Sequence, residues 1–347
     1  MNGFLALEDG SVLRGSSVGA EGFALGEAVF TTAMTGYQEV VTDPSYAEQL
    51  VCFTAPMVGN YGVAPERSES EAVHTRAVLM RRAGGAEWTG WLAANGVVAL
   101  EDVDTRTFVV RVRERGSLRA AVVAGSASVE TVLAHVRAQA GMAGRALVGG
   151  VSTRAPYTVC RGGVPIAVVD YGCKRSIVTR LVSCGAEPTV WPHDVDADSI
   201  LAAKPAGVLL SNGPGDPAAL PEQIAAVRDL LGRVPVLGIC LGHQLLALAA
   251  DYSTFKLPYG HRGSNHPVLD LGANRVLVTS QNHGFGVAGD GPQATHVSLY
   301  DGTVEGLSLP GESARSVQFH PEAGPGPHDA WPLLEGWVEE LGYAAAA

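Results

Sequence analysis

The sequence is poor in basic charge and in aromatic residues. Its 24 lysine and arginine residues are outnumbered by 35 aspartate and glutamate residues, and the formal net charge is −11 at pH 7. A surface this acidic repels phosphate backbones, so we expect no nucleic-acid partner. Lysine occurs only as Lys174, Lys204 and Lys256, and we interpret this scarcity as genomic codon bias without functional meaning.

Cysteines are few, and long apolar runs are absent. The five cysteines are scattered, and no pair has the Cys-x-x-Cys spacing typical of a zinc site. An odd number of cysteines without a secretory signal indicates a reducing compartment. The segment MNGFLALEDG is not a signal peptide, and no apolar run approaches the roughly 18 residues of a membrane span. We therefore expect a cytoplasmic protein with no membrane partner and no metal site.

The length of 347 residues suggests two domains. We predict a mixed α+β N-terminal domain over residues 1–151 and a linker over 152–163, where turn residues interrupt any periodicity. The domain is expected to contain a β-hairpin over 4–18, strands broken by a loop over 30–51, a helix over 104–115 capped by Asp104 or Thr105 and ended by Gly116, and a helix over 128–139 capped by Ser128.

From residue 164 onward, short apolar runs alternate with amphipathic segments. This pattern indicates parallel strands joined by crossover helices. We therefore predict a C-terminal α/β domain over 164–347, built on a doubly wound, mostly parallel sheet. Its strands are expected over 164–170, 187–191, 207–211 and 234–239, and its helices over 176–185, 196–203, 221–231 and 241–250. The later chain should form a strand over 274–280, a hairpin around Asp301 and Gly302, a strand over 314–319 and a last helix over about 329–342.

A glycine-flanked cysteine follows the predicted strand 234–239, in the segment VLGICLGHQ. In a doubly wound sheet, ligands bind beyond the carboxyl ends of the strands, and Cys240 lies at such an end. Gly238 and Gly242 give the form of a nucleophile elbow, where missing Cβ atoms permit close backbone approach. The start of the next helix favours an anionic sulfur. A free cysteine is more often a small core residue, but this context favours a nucleophile.

A thiolate nucleophile needs a base, and His320 is the preferred candidate. His320 and Glu322 follow the predicted strand 314–319, and residues two apart on an extended segment project the same way. The carboxylate would then hold the tautomer and orientation of the imidazole. By itself the His-Pro-Glu motif is weak evidence for catalysis, because it is also typical of a solvated turn. The competing histidines are His243, His266 and His283, and we expect His243 to be packed inside.

A glycine-rich loop, NGPGDP over 212–217, follows the predicted strand 207–211. It should lie beside the elbow, where it would supply a second N–H group for an oxyanion. The alternative is that these glycines only form an ordinary turn between a strand and a helix. The sequence contains no GxxxxGK segment, so this is not an ATP phosphate loop.

Together, GICLGHQ, SNGPGDP and the late HPE resemble the class I glutamine amidotransferase domain. Three further segments resemble the small subunit of carbamoyl-phosphate synthetase: MTGYQEVVTDPSY (34–46), QNHGF (281–285) and HPEAGPGPHD (320–329). The resemblance covers nearly the whole chain, including the N-terminal domain that other amidotransferases lack.

The resemblance implies that the chain hydrolyses glutamine. Cys240 would be the nucleophile, His320 the general base and then acid, and Glu322 the orienting group, with a γ-glutamyl thioester as intermediate. Gly213 and Leu241 would furnish the oxyanion N–H groups. The glutamine-contacting positions would be Ser45, Gly213, Gly215, Leu241, Gln244, Asn282, Gly284 and Phe285. Since Ser45 belongs to the predicted N-terminal domain, the pocket would form where the two domains meet.

The resemblance also implies a partner. Ammonia would pass through an internal channel to a large synthetase subunit, which makes carbamoyl phosphate from bicarbonate and ATP for arginine and pyrimidine synthesis. ATP and divalent metal are expected on that subunit, and no cofactor on this chain. Departures from the family's small residues occur at Glu48, Asp251, Tyr252 and Ser264, where local loop shape is in question.

Other functions stay open at this point. One is the amidotransferase subunit for anthranilate or GMP synthesis, which shares the elbow but lacks the MTGYQE domain. A second is a non-catalytic regulatory subunit, although all three residues of the triad are present. A third is a cysteine peptidase or deglycase built on a similar sheet. Assays of the chain on glutamine and on peptidase substrates distinguish this function from glutamine hydrolysis.

Overall fold

The computed structural model describes residues 2–289 and 293–346. The chain forms two compact units: one runs to Met142 and includes Leu257–Gly263, and the other runs from Ala143 to Lys256 and continues from Ser264. The division therefore falls before the predicted linker, and one short later segment joins the first unit. Among the described residues, no helix is both long and apolar enough to cross a membrane.

A closed barrel forms the first unit, with strand order β1-β2-β6-β5-β4-β3-β7. Its elements are β1 (Asn2–Leu7), β2 (Val12–Ser17), β3 (Gly22–Thr31), α1 (Tyr37–Thr42), β4 (Gln49–Phe53), β5 (Ala77–Leu79), α2 (Ala86–Ala94), β6 (Val98–Glu101), α3 (Thr105–Arg115), β7 (Leu118–Ala124) and α4 (Val129–Ala138). The pairs β3–β4, β4–β5 and β5–β6 are parallel, and β1 pairs with β2 as the predicted antiparallel hairpin.

Both helices predicted in this unit are confirmed, because their caps were readable in the sequence. The Asp104 carboxylate accepts the Thr107 N–H at the start of α3, and Gly116 ends that helix at φ 88°. Ser128 caps α4 by accepting the Thr131 N–H. Side-chain caps satisfy N–H groups that the first turn of a helix leaves unpaired.

The prediction of strands over 30–51 is wrong in its middle, where α1 forms. Gly36 adopts the left-handed region at φ 80° immediately before this helix. Val40 and Val41 are buried in one apolar cluster with Phe53 and Trp88. The β-branched residues favoured a strand in isolation, but tertiary burial outweighs that weak preference.

The second sheet has the order β14-β13-β15-β16-β17-β12-β11-β9-β10-β8. The elements after α4 are β8 (Tyr157–Thr158), β9 (Val164–Asp170), α5 (Arg175–Ser183), β10 (Ala186–Pro192), α6 (Ala197–Ala202), β11 (Gly207–Leu210), α7 (Pro221–Leu230), β12 (Val236–Ile239), α8 (Leu241–Ala249), β13 (Ser253–Asp270), β14 (Arg275–Ala288), β15 (Ala294–Ser298), β16 (Val304–Leu309), β17 (Ala314–Val317) and α9 (Trp331–Ala346).

The predicted doubly wound sheet is confirmed. Strands β10, β9, β11, β12 and β17 pair in parallel, in that order. The predicted hairpin around Asp301 and Gly302 joins β15 to β16, which pair antiparallel. Two strands were missed: β13, and the short edge strand β8 inside the predicted linker, which pairs with β10.

The parallel strands end together, and this places the residues that follow them at one edge. Among the loops that begin there are those after Asp170, Leu210, Ile239 and Val317. Because ligands bind beyond the carboxyl ends of such strands, these loops contain the candidate site.

Candidate active site

Cys240 lies in a strained turn between β12 and α8. Its backbone has φ 55° and ψ −103°, in a region that costs a residue with a side chain about 1–3 kcal/mol. The N–H of Cys240 donates to the Val317 carbonyl at 2.9 Å, and its carbonyl accepts the Gln244 N–H at 3.2 Å. These bonds on both sides hold the turn, and the side chain is only 2% exposed.

The two glycines of the elbow are required by close backbone contacts. A Cβ atom on Gly238 would lie 2.6 Å from the carbonyl oxygen of Gly242. A Cβ atom on Gly242 would lie 2.2 Å from the carbonyl oxygen of Leu210. The Gly242 N–H also donates to the Ser211 carbonyl at 3.0 Å, so the start of α8 lies directly against the end of β11.

We expect Gly242→Ala to destabilise the second unit and to disturb the elbow. The added methyl group would overlap a backbone oxygen that cannot rotate away, and overpacking of this kind costs typically about 1–3 kcal/mol. Urea denaturation of the purified chain measures the loss. Gly336→Ala in α9 is the matched control, because a Cβ atom there meets nothing within 4 Å. If Gly242→Ala lowers the free energy of unfolding no more than Gly336→Ala does, the close contact at Gly242 is contradicted.

His320, Glu322 and Lys174 form a buried charged row. His320 Nδ1 lies 2.7 Å from Glu322 Oε1, and Lys174 Nζ lies 2.8 Å from the same oxygen. All three side chains are at most 3% exposed. The backbone N–H of His320 donates to the Ser280 carbonyl at 2.9 Å, which fixes the start of this loop. The carboxylate accepts a hydrogen bond from Nδ1–H, which fixes the orientation of the ring and leaves Nε2 as its other nitrogen.

The charges of this row shift both titrating partners. Burial alone lowers the pKa of His320, but the Glu322 carboxylate raises it to about 10, against an opposing effect of Lys174. Burial alone raises the pKa of Glu322, but the Lys174 ammonium and the His320 imidazolium hold it well below its usual range. The charged forms of His320 and Glu322 therefore favour one another.

These shifts predict how stability depends on pH. The contribution of His320 is complete below its ordinary pKa of 6.5 and is lost as the pH rises towards about 10. The contribution of Glu322 is complete above its ordinary pKa of 4.5 and is lost as the pH falls below that value. We expect the stability difference between wild type and His320→Asn, measured by urea denaturation, to be largest between these two ordinary values. A difference that grows from pH 7 to 10 would contradict the assignment.

Lys174 was not predicted as a site residue from the sequence; the codon-bias interpretation concerns only how few lysines the chain has. The loop after β9 places Lys174: Asp170 Oδ1 accepts the N–H groups of Gly172 and Cys173, and the Lys174 N–H donates to Asn212 Oδ1 at 3.1 Å. The available signal was a rare lysine directly beyond the end of a central strand. What the sequence could not show was its carboxylate partner 148 residues away.

The Cys240 thiol lies between His320 and Asn282. Its Sγ donates to the Asn282 carbonyl at 3.6 Å. A hydrogen-bonding interaction with the thiol is one of the effects that raise the pKa of His320. Nε2 of His320 has no partner at full hydrogen-bonding distance within residues 2–289 and 293–346. The thiol and the imidazole are thus neighbours, and the free nitrogen is the one that proton transfer needs.

The glycine loop follows β11 beside the elbow. A Cβ atom on Gly213 would lie 2.2 Å from the Tyr171 carbonyl oxygen, and Gly215 has φ 98°. Leu241 is the first residue of α8, so its N–H has no acceptor inside the helix. Gly213 therefore lies in the glycine loop and Leu241 at the start of α8, the two segments predicted to furnish oxyanion donors.

The remaining predicted glutamine contacts divide between the two units. Gln244 Nε2 donates to the Phe285 carbonyl at 2.9 Å and to Gln318 Oε1 at 3.0 Å. Asn282, Gly284 and Phe285 lie together on β14, and the structure thus brings these to Gln244 and Cys240. Ser45 belongs to the first unit, where it is 5% exposed and its N–H donates to Asp43 Oδ1 at 2.9 Å. Its contact with glutamine stays a prediction.

The competing histidines have other surroundings. His243 is fully buried, its Nδ1 lies 2.8 Å from Ser316 Oγ, and burial together with His296 lowers its pKa to about 3. The His266 ring packs edge-on against Tyr300. His283 Nδ1 lies 2.7 Å from the Phe285 carbonyl oxygen. His320 is thus the histidine with a carboxylate at 2.7 Å and a neighbouring thiol.

Two of the four sequence departures fall on turns. Glu48 and Asp251 have φ 65° and 64°, in the left-handed region that favours glycine. The Glu48 carboxylate pairs with Arg76, and Asp251 Oδ1 accepts Arg228 Nη2 at 3.0 Å. The Tyr252 hydroxyl donates to Gln293 Oε1 at 2.8 Å. Ser264 lies on β13, and a Cβ atom on Gly326 would lie 3.6 Å from its Cβ.

Comparison with known proteins agrees with this fold. Residues 167–339 match the family described as glutamine amidotransferase class-I, and residues 5–122 match the carbamoyl-phosphate synthase small chain, CPSase domain. The second unit is thus a class I glutamine amidotransferase domain.

Full-length relatives make the assignment narrower. Carbamoyl phosphate synthase small chains from Vibrio vulnificus and Pseudomonas aeruginosa are 42% and 43% identical to this chain. The alignments cover 96% and 97% of this chain, and 97% of each relative. A small chain from Thioalkalivibrio sulfidiphilus is 43% identical, with 96% of each chain covered. This chain belongs to the carbamoyl phosphate synthase small chain family.

Proposed function

We propose that this chain is the glutaminase subunit of a carbamoyl-phosphate synthetase, and that Cys240, His320 and Glu322 hydrolyse L-glutamine. The observation that supports this most strongly is the elbow thiol beside an imidazole whose other nitrogen lies 2.7 Å from a buried carboxylate. This is the geometry of nucleophile, base and orienting group that acyl transfer requires.

The first half of the reaction forms a thioester and releases ammonia. Nε2 of His320 accepts the proton of the Cys240 thiol, and the raised pKa of His320 favours this transfer. Sγ attacks the side-chain carbonyl carbon of glutamine, and the N–H groups of Gly213 and Leu241 stabilise the oxyanion. As the C–N bond breaks, Nε2 of His320 gives its proton to the departing nitrogen, which leaves as ammonia.

The second half returns the site to its starting state. His320 is neutral once it has protonated the ammonia, so it accepts a proton from water as that water attacks the thioester carbon. The C–S bond breaks, Cys240 Sγ takes the proton back from His320, and the new carboxyl group loses its remaining proton to solvent as glutamate leaves. Lys174 compensates the charge of Glu322 throughout, so the carboxylate stays ionised while the imidazole changes its protonation state.

The ammonia would be consumed by a separate large subunit. The relatives are named as small chains of carbamoyl phosphate synthase, which implies a larger chain as partner. We propose that this partner receives the ammonia through a channel and uses bicarbonate and ATP, with divalent metal, to make carbamoyl phosphate. The product would enter arginine and pyrimidine synthesis.

Co-purification with the large chain from native extract tests this function. We expect the untagged large chain to copurify and the complex to make carbamoyl phosphate from glutamine in the presence of ATP and bicarbonate. Glutamate release by the complex, with no cleavage of peptide substrates, is expected in the same preparation. Peptide cleavage without glutamate release would instead support the cysteine peptidase alternative and would overturn the proposal.

A further inference from the structure

A cavity of about 200 Å³ lies next to the strands that precede the candidate site. Its apolar walls include Leu237 from β12, Val317 from β17 and Leu334 from α9, which belong to one buried core cluster. Leu307 and Pro321 complete much of the remaining apolar surface. A cavity of about 150 Å³ accommodates benzene in another protein, so this one has room for a molecule somewhat larger.

His296 is a buried polar side chain that lines this cavity, and one of its ring nitrogens has no partner in the described residues. His296 is 6% exposed, and its ring packs edge-on against Phe319 at 5.4 Å. Nδ1 lies 2.9 Å from Thr295 Oγ1, whereas Nε2 has no hydrogen-bond partner in the described part of the chain. A buried polar atom without a partner is costly, and a ligand or water that bonds to it removes the cost.

The backbone opposite makes room for this histidine. A Cβ atom on Gly306 would lie 2.6 Å from His296 Nδ1 and 2.7 Å from Thr295 Oγ1. Residue 306 must therefore lack a side chain for the pair to adopt this position. The glycine, the threonine hydroxyl and the edge-on aromatic contact together fix the imidazole in one orientation.

The surroundings also indicate the chemistry of a ligand. Burial lowers the pKa of His296, an effect that Asp270 partly opposes, so the ring is neutral at neutral pH. A neutral ring offers one donor or one acceptor at Nε2, depending on the tautomer, and a hydroxyl group can bond to either. Arg315 at the cavity wall is already paired with Glu340, so no unpaired charge there calls for an anion.

We propose that this cavity is a binding site for a small, uncharged, mostly apolar molecule with one hydroxyl group, which bonds to Nε2 of His296. The site lies outside the arrangement of Cys240, His320 and Glu322. Its walls nevertheless include Leu237, three residues before Cys240, and Pro321, which separates His320 from Glu322. An occupant therefore contacts the segments that position Cys240 and His320. We expect it to change the rate of glutamine hydrolysis, an expectation that rests on the proposed function.

Titration of the full chain with phenol and with toluene tests the site directly. The two probes differ in one hydroxyl group. We expect saturable binding of one phenol per chain, about threefold to tenfold tighter than toluene, as one hydrogen bond predicts. His296→Phe should abolish this preference while toluene still binds. Leu333→Trp, which fills the cavity from α9, should abolish binding of both probes. Val159→Leu, on the exposed surface beside the edge strand β8, should change neither.

Two results would overturn this inference. One is the lack of saturable binding of either probe to the wild-type chain, and the other is phenol binding that survives Leu333→Trp unchanged. Should His296→Phe fail to fold, the wild-type comparison of the two probes still decides the role of the nitrogen, since equal affinities would exclude it. Glutamate release is measured separately, so its absence would overturn the proposed function and leave the binding result standing.

Discussion

Replacing Cys240 by serine is expected to lower the rate of glutamate release from L-glutamine by about 10⁴-fold or more. The alcohol lacks the sulfur's readiness to ionise beside an imidazolium, and loss of the nucleophile in a triad removes most of its rate enhancement. The substitution exchanges one atom in a side chain that is 2% exposed, so it should leave the fold intact. A steady-state assay of glutamate release by the purified complex measures this change in rate.

Two controls show that the loss lies in the chemical step. Binding of glutamine to the Cys240→Ser chain should persist, because its proposed contacts are with other residues. Production of carbamoyl phosphate from added ammonia should also persist, because the synthetase reaction belongs to the proposed partner. Equal loss of the glutamine-dependent and ammonia-dependent reactions, with the complex intact, would contradict the assignment of Cys240.

Replacing Glu322 by glutamine is expected to have the largest combined effect on stability and activity. The amide cannot compensate the Lys174 ammonium, which is 3% exposed, and a buried charge without its partner costs about 3–5 kcal/mol. The same change removes the acceptor that holds the His320 tautomer, for which losses near 10⁴-fold in turnover are known in a comparable triad. Urea denaturation and glutamate release measure the two effects on one preparation.

Lys174→Met separates the two effects. Combined with Glu322→Gln, it removes the ammonium that Glu322 no longer compensates, so the double variant should regain much of the lost stability but none of the lost turnover. Methionine has a similar length and no charge, which suits a buried position. If the double variant is no more stable than Glu322→Gln alone, Lys174 is not the buried partner described here. Wild-type turnover in Glu322→Gln would exclude the orienting role of the carboxylate.

Features encoded locally could be predicted from the sequence. The elbow was recognisable because Gly238, Cys240 and Gly242 stand together after an apolar run, and the structure explains both glycines by backbone contacts of 2.6 and 2.2 Å. The caps of α3 and α4 were likewise local, since each needs one acceptor three residues before its donor.

Features that depend on distant parts of the chain could not be predicted in the same way. Lys174 becomes part of the charged row only because β9 and β17 end at the same edge of the sheet, which a single sequence does not show. Helix α1 was missed because its β-branched residues favour a strand until Phe53 and Trp88 bury them. The closed barrel depends on the pairing of β1 with β7, whose residues are far apart in sequence.

Acid quenching during turnover, followed by mass spectrometry of the peptide that contains Cys240, tests the central claim most directly. The account predicts a glutamyl group bound to Cys240 in wild type during glutamine turnover, and no such adduct in Cys240→Ser. Either of two results would contradict the account. One is glutamate release by wild type with the glutamyl group on a residue other than Cys240, and the other is a glutamyl adduct on the chain of the Cys240→Ser variant.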